Sequence, residues 1–410
     1  MAAAPNPRTM AYLVSAYPAI SHTFILREVR QLRALGHRIV TASINRPDRA
    51  RSEMEAHERA EAQRTYVVKQ HGVAGALAAL LFWLRHTPLA LLATLRLGLR
   101  LRSGGKPGWS GLAYAVEAAM VARWMRREGA QHLHVHFGNA GASVGVLVKR
   151  LSGCHLSYTI HGPDEFDEVQ GQHLALKMRQ ADAVVCISQF ARGQLMRIAD
   201  PAQWGKFHVC RLGVEPGQFP FALRDPGPLT QLLCVGRLTP AKGQVLLVQA
   251  LAQLRDTGVR CHLTLVGAGP DRERIEDEIA SLRLEHDVTL TGALTQDQVR
   301  ERFARADVFV LPSLAEGIPV VLMEAMSCGV PCVTTPVNGI PELVLHDQTG
   351  LLATAGDVAS LAASLRQLIK QPALRRTLAL AARDKVRRDF DLQRNVAALG
   401  GIFAAFPQAA

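Results

Sequence analysis

Short runs of apolar residues alternate with amphipathic stretches along most of the chain. Each run is followed by a turn and by apolar residues at helical spacing, a pattern typical of parallel strands that helices cover on both faces. The predicted strands of the first half are 10–15, 38–44, 131–137, 155–160, 183–187 and 207–211. Those of the second half are 231–235, 262–266, 288–291, 308–312 and 332–335. This strand–helix rhythm, run twice, predicts an α/β protein with two Rossmann-like domains facing a central cleft.

The domain boundaries follow from the length and from one segment rich in proline and glycine. At 410 residues the chain exceeds one ordinary core, so two domains of roughly 200 residues are expected. Residues 213–229 carry the proline- and glycine-rich sequence and are interpreted as a linker. We therefore predict an N-terminal domain at 1–212, a C-terminal domain at 230–388, and a tail at 389–410 that packs back toward the N-terminal domain.

One segment, residues 62–116, interrupts the rhythm. It contains no acidic residue, and its arginines and lysines are separated by leucines and alanines. A basic amphipathic insertion of this kind is typical of helices that lie on an anionic membrane surface, and Arg96, Arg100 and Arg102 would face the lipid head groups. The alternative is a helical hairpin packed on the N-terminal domain with its arginines simply solvated.

The net charge indicates which class of partner to expect, and the cysteines indicate the cellular compartment. The net charge of +12 suggests a polyanionic partner, such as an acidic membrane, a phosphorylated ligand or nucleic acid. The seven cysteines form no Cys-x-x-Cys pair and are expected to be buried thiols in a reducing compartment. The N-terminal residues lack the apolar core of a signal peptide, and the apolar run 72–84 is too short to cross a bilayer. A cytoplasmic protein, peripheral on the cytosolic face of the membrane, is expected.

Two carboxylates stand in an otherwise apolar run, "SLAEGIPVVLMEAMSCGVP" at 313–331. Glu316 lies on the loop after a predicted strand, and Glu324 lies in the helix that follows. Burying a carboxylate without a partner costs on the order of several kcal/mol or more. The free amides of Gly317 and Ile318 point to the same place. The layout suits a polyhydroxylated ligand, because carboxylates accept hydrogen bonds from vicinal hydroxyls.

A second cluster, "VGRLTPAKG" at 235–243, follows the first strand of the second half. Gly236 permits a tight turn, and Arg237 and Lys242 precede a helix. Two cations beside helix N-terminal amides favour a diphosphate site. An Arg and a Lys in a loop are otherwise solvated surface residues.

Four motifs carry a resemblance to a known family. "GRLTPAKG", "VGAGPDRERIE", "FVLPSLAEGIPVVLMEAMSCGVPCVTT" and "NGIPELV" resemble the C-terminal signature of the retaining glycosyltransferases of family 4, whose shared motif is E-x7-E. These are enzymes of the GT-B fold that use nucleotide sugars. The resemblance covers nearly all of residues 229–390. The N-terminal stretch "YPAISHTFILREVRQLRALGH" is similar to the branch that builds bacterial exopolysaccharides, including colanic-acid-type enzymes.

The resemblance implies a role for each matched residue. Arg237 and Lys242 would contact the donor diphosphate. Glu316 would bind the transferred sugar, together with the amides of Gly317 and Ile318, and Glu324 would bind the ribose. The remaining implied positions are Gly236 at the phosphate turn, Gly267 and the loop after Leu290 beside the base, and His161 with Asp164 along the sugar. His161 at a strand end is otherwise a structural histidine.

The resemblance also has a departure. Many family members carry a Gly-Gly loop after their first strand, but residues 15–24 read "SAYPAISHTF". Tyr17, Ser21 and Thr23 are expected to contact donor or acceptor in its place.

No metal cofactor is expected. Asp389 and Asp391 form a D-x-D match, but they follow a basic helix rather than a strand. His132, His134 and His136 share one face of a predicted strand, but no cysteine or carboxylate partner is expected nearby. Buried, hydrogen-bonded histidines are the expected interpretation.

The predicted function is transfer of a sugar, with retention, from a nucleoside diphosphate sugar to a glycan or lipid-linked glycan in bacterial exopolysaccharide synthesis. The enzymatic alternative is a GT-B epimerase or phosphorylase. The non-enzymatic alternative is a nucleic-acid-binding protein, against which stands an aromatic content of 5% and the lack of a groove-reading motif. Nucleic acid is therefore not expected as a partner.

Overall fold

The computed structural model describes residues 9–19, 22–101 and 109–406. The chain divides into two compact units. Unit 1 comprises Met1–Cys210 together with Gln393–Ala410, and unit 2 comprises Arg211–Leu392.

Unit 1 is built on a seven-stranded parallel sheet in the order β3-β2-β1-β4-β5-β6-β7. Its strands are β1 (Thr9–Ala16), β2 (Arg38–Asn45), β3 (Tyr66–Val67), β4 (His132–His136), β5 (His155–Ile160), β6 (Ala183–Cys186) and β7 (Phe207–Val209). Its helices before the unit boundary are α1 (Thr23–Ala34), α2 (Ala56–Arg64), α3 (Gly72–His86), α4 (Pro88–Arg100), α5 (Ser110–Glu128), α6 (Ala140–Ser152), α7 (Asp164–Asp167), α8 (Leu174–Gln180) and α9 (Gln189–Ile198).

Unit 2 is built on a six-stranded parallel sheet in the order β10-β9-β8-β11-β12-β13. Its strands are β8 (Thr230–Val235), β9 (Cys261–Val266), β10 (Val288–Gly292), β11 (Val308–Leu311), β12 (Cys332–Thr334) and β13 (Leu351–Leu352). Its helices are α10 (Gln244–Asp256), α11 (Arg272–Ser281), α12 (Gln296–Arg305), α13 (Val320–Cys328), α14 (Val358–Lys370) and α15 (Pro372–Asp389). The last helix, α16 (Leu392–Ala404), carries the chain from unit 2 back into unit 1.

Every strand predicted from the apolar runs is present, with ends shifted by at most two residues. Strands β11 and β12 are buried on both faces, which explains their uninterrupted apolar sequence. The two-residue strands β3 and β13 were not predicted. The two-Rossmann-domain prediction is confirmed by the parallel sheets.

The segment interpreted as a linker packs on unit 2. The amide of Ala222 donates to the carbonyl of Cys328 at 3.2 Å, and the Arg383 guanidinium lies 4.3 Å from the ring centroid of Phe221. Of the predicted tail, the residues up to Leu392 belong to unit 2, and the rest belong to unit 1.

The insertion at 62–116 forms β3 and the helices α3 and α4, which pack against α5. Trp83 Nε1 donates to the carbonyl of Ala119 at 2.9 Å, and the main chains of Gly98 and Gly111 touch, so that a Cβ on Gly111 would lie 2.2 Å from the Gly98 oxygen. The insertion is therefore a helical hairpin docked on unit 1. None of the described helices is both long enough and apolar enough to cross a bilayer.

Candidate functional site

The two clusters predicted to bind a ligand lie side by side at one edge of the unit 2 sheet. Strands β8 and β11 are neighbours, and the chain continues from them in opposite directions along the sheet, to β9 and to β12. Such a switch point is where open α/β sheets bind ligands, beyond the carboxyl ends of the strands. The loops that follow β8 and β11 touch there, because the amide of Leu314 donates to the carbonyl of Ala241 at 2.8 Å.

Glu316 is nearly buried, and its partner is Lys242. The two side chains form an ion pair in which the carboxylate is 9% exposed and the Lys242 side chain 25%. Ser313 Oγ donates to the same Glu316 oxygen at 2.8 Å, and the Glu316 amide donates to Asn338 Oδ1 at 3.4 Å. Two residues that the sequence assigned to different parts of a ligand are thus held together. Ser313 and Asn338 were missed, although both lie inside the quoted motifs.

Main chain rather than side chains forms the floor beside this pair. Gly267 has φ +148°, and a Cβ there would stand 1.9 Å from the carbonyl oxygen of Gly236. The Gly236 amide donates to Val266 at 3.0 Å, and the Leu238 amide donates to Ala268 at 3.1 Å. The loops after β8 and β9 are therefore closed against each other, and no larger residue than glycine fits at 267.

The other predicted ligand contacts of unit 2 occupy varied environments. Arg237 is exposed, and its carbonyl accepts from Gln244 Nε2 at 2.8 Å. Glu324 is half-buried in the second turn of α13, and Ile318 is buried. Leu290 is half-buried inside β10 and packs against the core, and the loop that follows the strand begins after Gly292.

The amides of Gly317 and Ile318 donate to no main-chain carbonyl within the described residues. They remain available to an anion or a hydroxyl oxygen.

His161 follows β5 in unit 1 and sits in a cluster of rings. Its centroid lies 4.9 Å from that of Phe24 and 4.5 Å from that of Phe137. Its Nε2 is 2.9 Å from Nδ1 of His136, whose Nε2 is 3.2 Å from Oε1 of Glu28. Burial lowers the pKa of His161 well below its usual range, so the ring is neutral.

The backbone around His161 is held by two charged residues that sequence reasoning missed. Glu165 accepts from the amides of His161 at 2.6 Å and Gly162 at 2.8 Å, and also from the amide of Gly138. Lys177, fully buried, donates to the carbonyls of Gly138 and Asn139, each at 2.8 Å. Burial lowers the pKa of Lys177 to about 7. The position of Glu165 four residues after His161, at the start of a helical turn, was the available signal.

The strand histidines are buried and hydrogen-bonded, as predicted. His132 and His134 share Ser157 Oγ, each at 2.7 Å, and His134 Nε2 lies 3.0 Å from Thr159 Oγ1. The expectation that no carboxylate is near was wrong, because α1 brings Glu28 to the cluster.

Glu28, His134 and His136 present ligand atoms within 4.8 Å of one another, as a metal site would. Hydrogen bonds already engage these groups: His136 and Tyr12 bond Glu28, and hydroxyls bond both nitrogens of His134. The arrangement favours a hydrogen-bonded network.

Four other positions singled out in the sequence have the following surroundings. Asp389 accepts from Lys385 Nζ at 2.7 Å at the end of α15, which is a structural contact. Tyr17 is fully buried in the core, Thr23 begins α1, and Asp164 is exposed at the start of α7. The prediction for Ser21 lies outside the described residues.

Comparisons with known proteins cover both units. The family model "Glycosyltransferase Family 4" matches residues 21–218, and the model "Glycosyl transferases group 1" matches residues 218–385. The amylovoran biosynthesis glycosyltransferase AmsK of Erwinia amylovora is 35% identical over 291 residues, 67% of this chain and 70% of that protein. The putative colanic acid biosynthesis glycosyltransferase WcaL of Salmonella typhimurium is 28% identical over 94% of this chain and 96% of its own length. Anabaena HepE in complex with UDP-glucose has a TM-score of 0.73 at 19% identity, covering 97% of this chain and 100% of that one.

Proposed function

The chain belongs to the family 4 glycosyltransferases, and from that premise we propose a donor site and a mode of action for it. It is a retaining glycosyltransferase of the GT-B fold that uses a nucleotide sugar, and its relatives AmsK and WcaL are glycosyltransferases of exopolysaccharide biosynthesis. The assignment of individual residues to the donor is our proposal.

The Lys242–Glu316 pair is the observation that carries the donor site. It lies at the sheet switch point, beside a main-chain floor that admits a ligand closely. Lys242 and the exposed Arg237 contact the donor diphosphate. Glu316 then accepts hydrogen bonds from hydroxyls of the transferred sugar, with the amides of Gly317 and Ile318. Glu324 accepts from the ribose, and Gly236 and Gly267 line the nucleotide with the loop that follows β10.

The roles of the charged residues follow from the charges that develop during sugar transfer. Departure of the nucleoside diphosphate leaves negative charge on the phosphate and positive charge on the sugar ring. Lys242 and Arg237 stabilise the first, and the Glu316 carboxylate faces the second. Because Glu316 holds Lys242 before the donor binds, the ammonium is positioned in advance and no reorganisation is needed at the moment of reaction. The acceptor hydroxyl attacks from the face that the diphosphate leaves, and the departing phosphate takes its proton. In unit 1, His161 is the residue that we propose to contact a sugar hydroxyl.

Calorimetry with UDP and GDP on two matched variants tests the assignment. Glu324→Gln should weaken binding of the nucleotide that the wild type prefers, because the ribose contact exists in the free diphosphate. Glu316→Gln should bind that nucleotide at least as tightly as the wild type, because it releases Lys242 from its carboxylate. Its turnover should fall instead.

Two outcomes contradict the assignment. If Glu316→Gln loses nucleotide affinity while Glu324→Gln keeps it, the roles are reversed. If neither variant changes affinity or turnover, both carboxylates are structural.

The docked hairpin carries a second part of the proposal, contact with an anionic membrane. One face of α3 and α4 packs on unit 1, but the other leaves large apolar side chains in solvent. These are Val73, Leu77, Leu81, Leu84, Leu89, Leu92 and Leu99. Arg96 and Arg100 are exposed on the same helical pair. Apolar side chains edged by cations fit the interface of an anionic bilayer, which would bring the enzyme to a lipid-linked acceptor.

Vesicle co-sedimentation tests this contact. The protein should bind phosphatidylcholine vesicles that contain phosphatidylglycerol, and binding should weaken as salt rises. Arg96→Glu with Arg100→Glu should release it. Arg274→Glu with Lys370→Glu, an equal charge change at exposed positions of unit 2, is the matched control. Equal binding to vesicles with and without the anionic lipid, or equal loss in both double variants, would refute the proposal. Arg102, also predicted to contribute, lies outside the described residues.

A further inference from the structure

Unit 1 contains two separate hydrogen-bonded chains of buried histidines. The first chain runs from His132 through Ser157 and His134 to Thr159. The second chain, which we call the Glu28 relay, runs Tyr12–Glu28–His136–His161. The two chains lie next to each other, with the ring centroids of His134 and His136 5.0 Å apart, but among the described residues no hydrogen bond joins them. Only the Glu28 relay reaches His161.

The direction of each hydrogen bond in the relay follows from its carboxylate, Glu28. An ionised carboxylate can only accept, so Tyr12 Oη at 2.8 Å and His136 Nε2 at 3.2 Å both donate to Glu28. A neutral imidazole that carries its proton on Nε2 has an acceptor at Nδ1. The atom 2.9 Å from that acceptor is His161 Nε2, which must therefore be the donor. One carboxylate thus determines the proton position two rings away.

The His161 ring is also prevented from turning over. Phe24 and Phe137 pack against it, and its own amide is bonded to Glu165 at 2.6 Å. With Nε2 committed to His136, the atom left for a ligand is Nδ1.

We propose that Glu28 and His136 are positioning residues that hold His161 as the Nε2–H tautomer, so that its Nδ1 is a permanent hydrogen-bond acceptor. In that state His161 recognises a hydroxyl of the ligand, and it discriminates against a deoxy position or a group that only accepts. That this ligand is a sugar rests on the proposed function. The tautomer does not, because it follows from contacts within unit 1.

The tautomer of His161 requires that His136 carry one ring proton. If His136 carried a second proton, both its nitrogens would donate, and His161 would be forced into the Nδ1–H tautomer. The His136 ring is 0% exposed, and the ring centroids of His134 and His161 lie 5.0 Å and 5.2 Å from its own.

Nitrogen NMR of the full-length, ¹⁵N-histidine-labelled protein reads the tautomer directly. His161 should show a pyrrole-type Nε2 and a pyridine-type Nδ1 without any ligand added. The reverse assignment would overturn the proposal. A tightly bound metal whose removal by chelator shifts the His136 resonances would overturn it as well. Because no donor is used, failure here is distinct from failure of nucleotide binding in calorimetry.

Two substitutions at position 136 separate positioning from mere packing. His136→Asn keeps an acceptor near the place of Nδ1 and should retain the wild-type His161 signature. His136→Phe fills the space but removes the acceptor, and should leave His161 as a mixture of tautomers. Ser157→Ala, which disrupts the other chain at an equally buried position, is the control and should leave His161 unchanged. An unaltered His161 in His136→Phe, or an equal change in Ser157→Ala, would refute the relay.

Discussion

Replacing Lys242 with methionine should destabilise unit 2, because it leaves Glu316 buried without its countercharge. Breaking a fully buried ion pair from one side costs about 3–5 kcal/mol, whereas an exposed pair contributes about 0.2–1 kcal/mol. The Lys242–Glu316 pair lies between these limits, with side chains 25% and 9% exposed, and Ser313 still donates to the carboxylate. We expect a loss of about 2 kcal/mol, or about a thirty-fold rise in the population of opened unit 2.

The assay must report on unit 2 alone. The tryptophans, at positions 83, 109, 124 and 204, all belong to unit 1, so intrinsic tryptophan fluorescence does not follow unit 2. Cys234 does, because it is buried in β8 and burial raises the pKa of its thiol to about 12. Its alkylation requires opening, and under fast reclosing the rate tracks the opening free energy. Mass spectrometry compares it with Cys186, buried in unit 1.

The predicted pattern is specific to the pair. Alkylation of Cys234 should accelerate about thirty-fold in Lys242→Met, a figure that follows from the 2 kcal/mol above, while Cys186 stays unchanged. Arg237→Met, at an exposed position, should change neither. Lys242→Met combined with Glu316→Gln should recover most of the loss, because no buried charge is then left unpaired. An unchanged Cys234 rate in Lys242→Met, or a double variant as unstable as the single one, would refute the reasoning.

Three further predictions concern other features. Transfer activity should survive excess EDTA, because in the proposed donor site Arg237 and Lys242 supply the positive charge at the diphosphate. Loss of activity that magnesium or manganese restores would contradict this. Gly267→Ala should destabilise unit 2 by more than about 2 kcal/mol in the Cys234 assay, because the new Cβ meets a carbonyl, whereas Gly258→Ala, at φ +76° with nothing within 4 Å, should cost only about 1 kcal/mol. The stability of unit 1 should rise from about pH 7 toward pH 10.5, because the pKa of Lys177 falls from 10.5 in the unfolded chain to about 7 in the folded one, so the unfolded chain binds more protons in this range. Urea midpoints measured by tryptophan fluorescence should lose that part of the pH dependence in Lys177→Met.

The strands could be predicted because each apolar run is buried on both faces and bounded by turns. Strands β3 and β13 escaped because two residues carry no periodicity. The loop positions of Glu316 and Lys242 also followed from the strand pattern and the motif. Their pairing did not, since 74 positions separate them and only the fold brings them together.

The Glu28 relay shows the same limit over a longer span. In the sequence, Glu28 is one polar position on an amphipathic helix. The residues next to it in the chain do not predict a contact with a histidine 108 positions away. The prediction of buried histidines on β4 needed only alternation along one strand. The direction of their hydrogen bonds needed the tertiary structure.

The path of α16 bears on how the protein is made. A ribosome releases residues 211–392, all of unit 2, before it releases 393–406. Yet those late residues complete unit 1: Phe403 packs on His132 and His134, Phe406 packs on His155, and the carbonyl of Asn395 accepts from the Cys210 thiol at 3.2 Å. Although its sheet is synthesised first, unit 1 closes last. Until residues 393–406 emerge, His132, His134 and His155 lack the phenylalanine rings that pack on them, whereas every residue of unit 2 has already been synthesised.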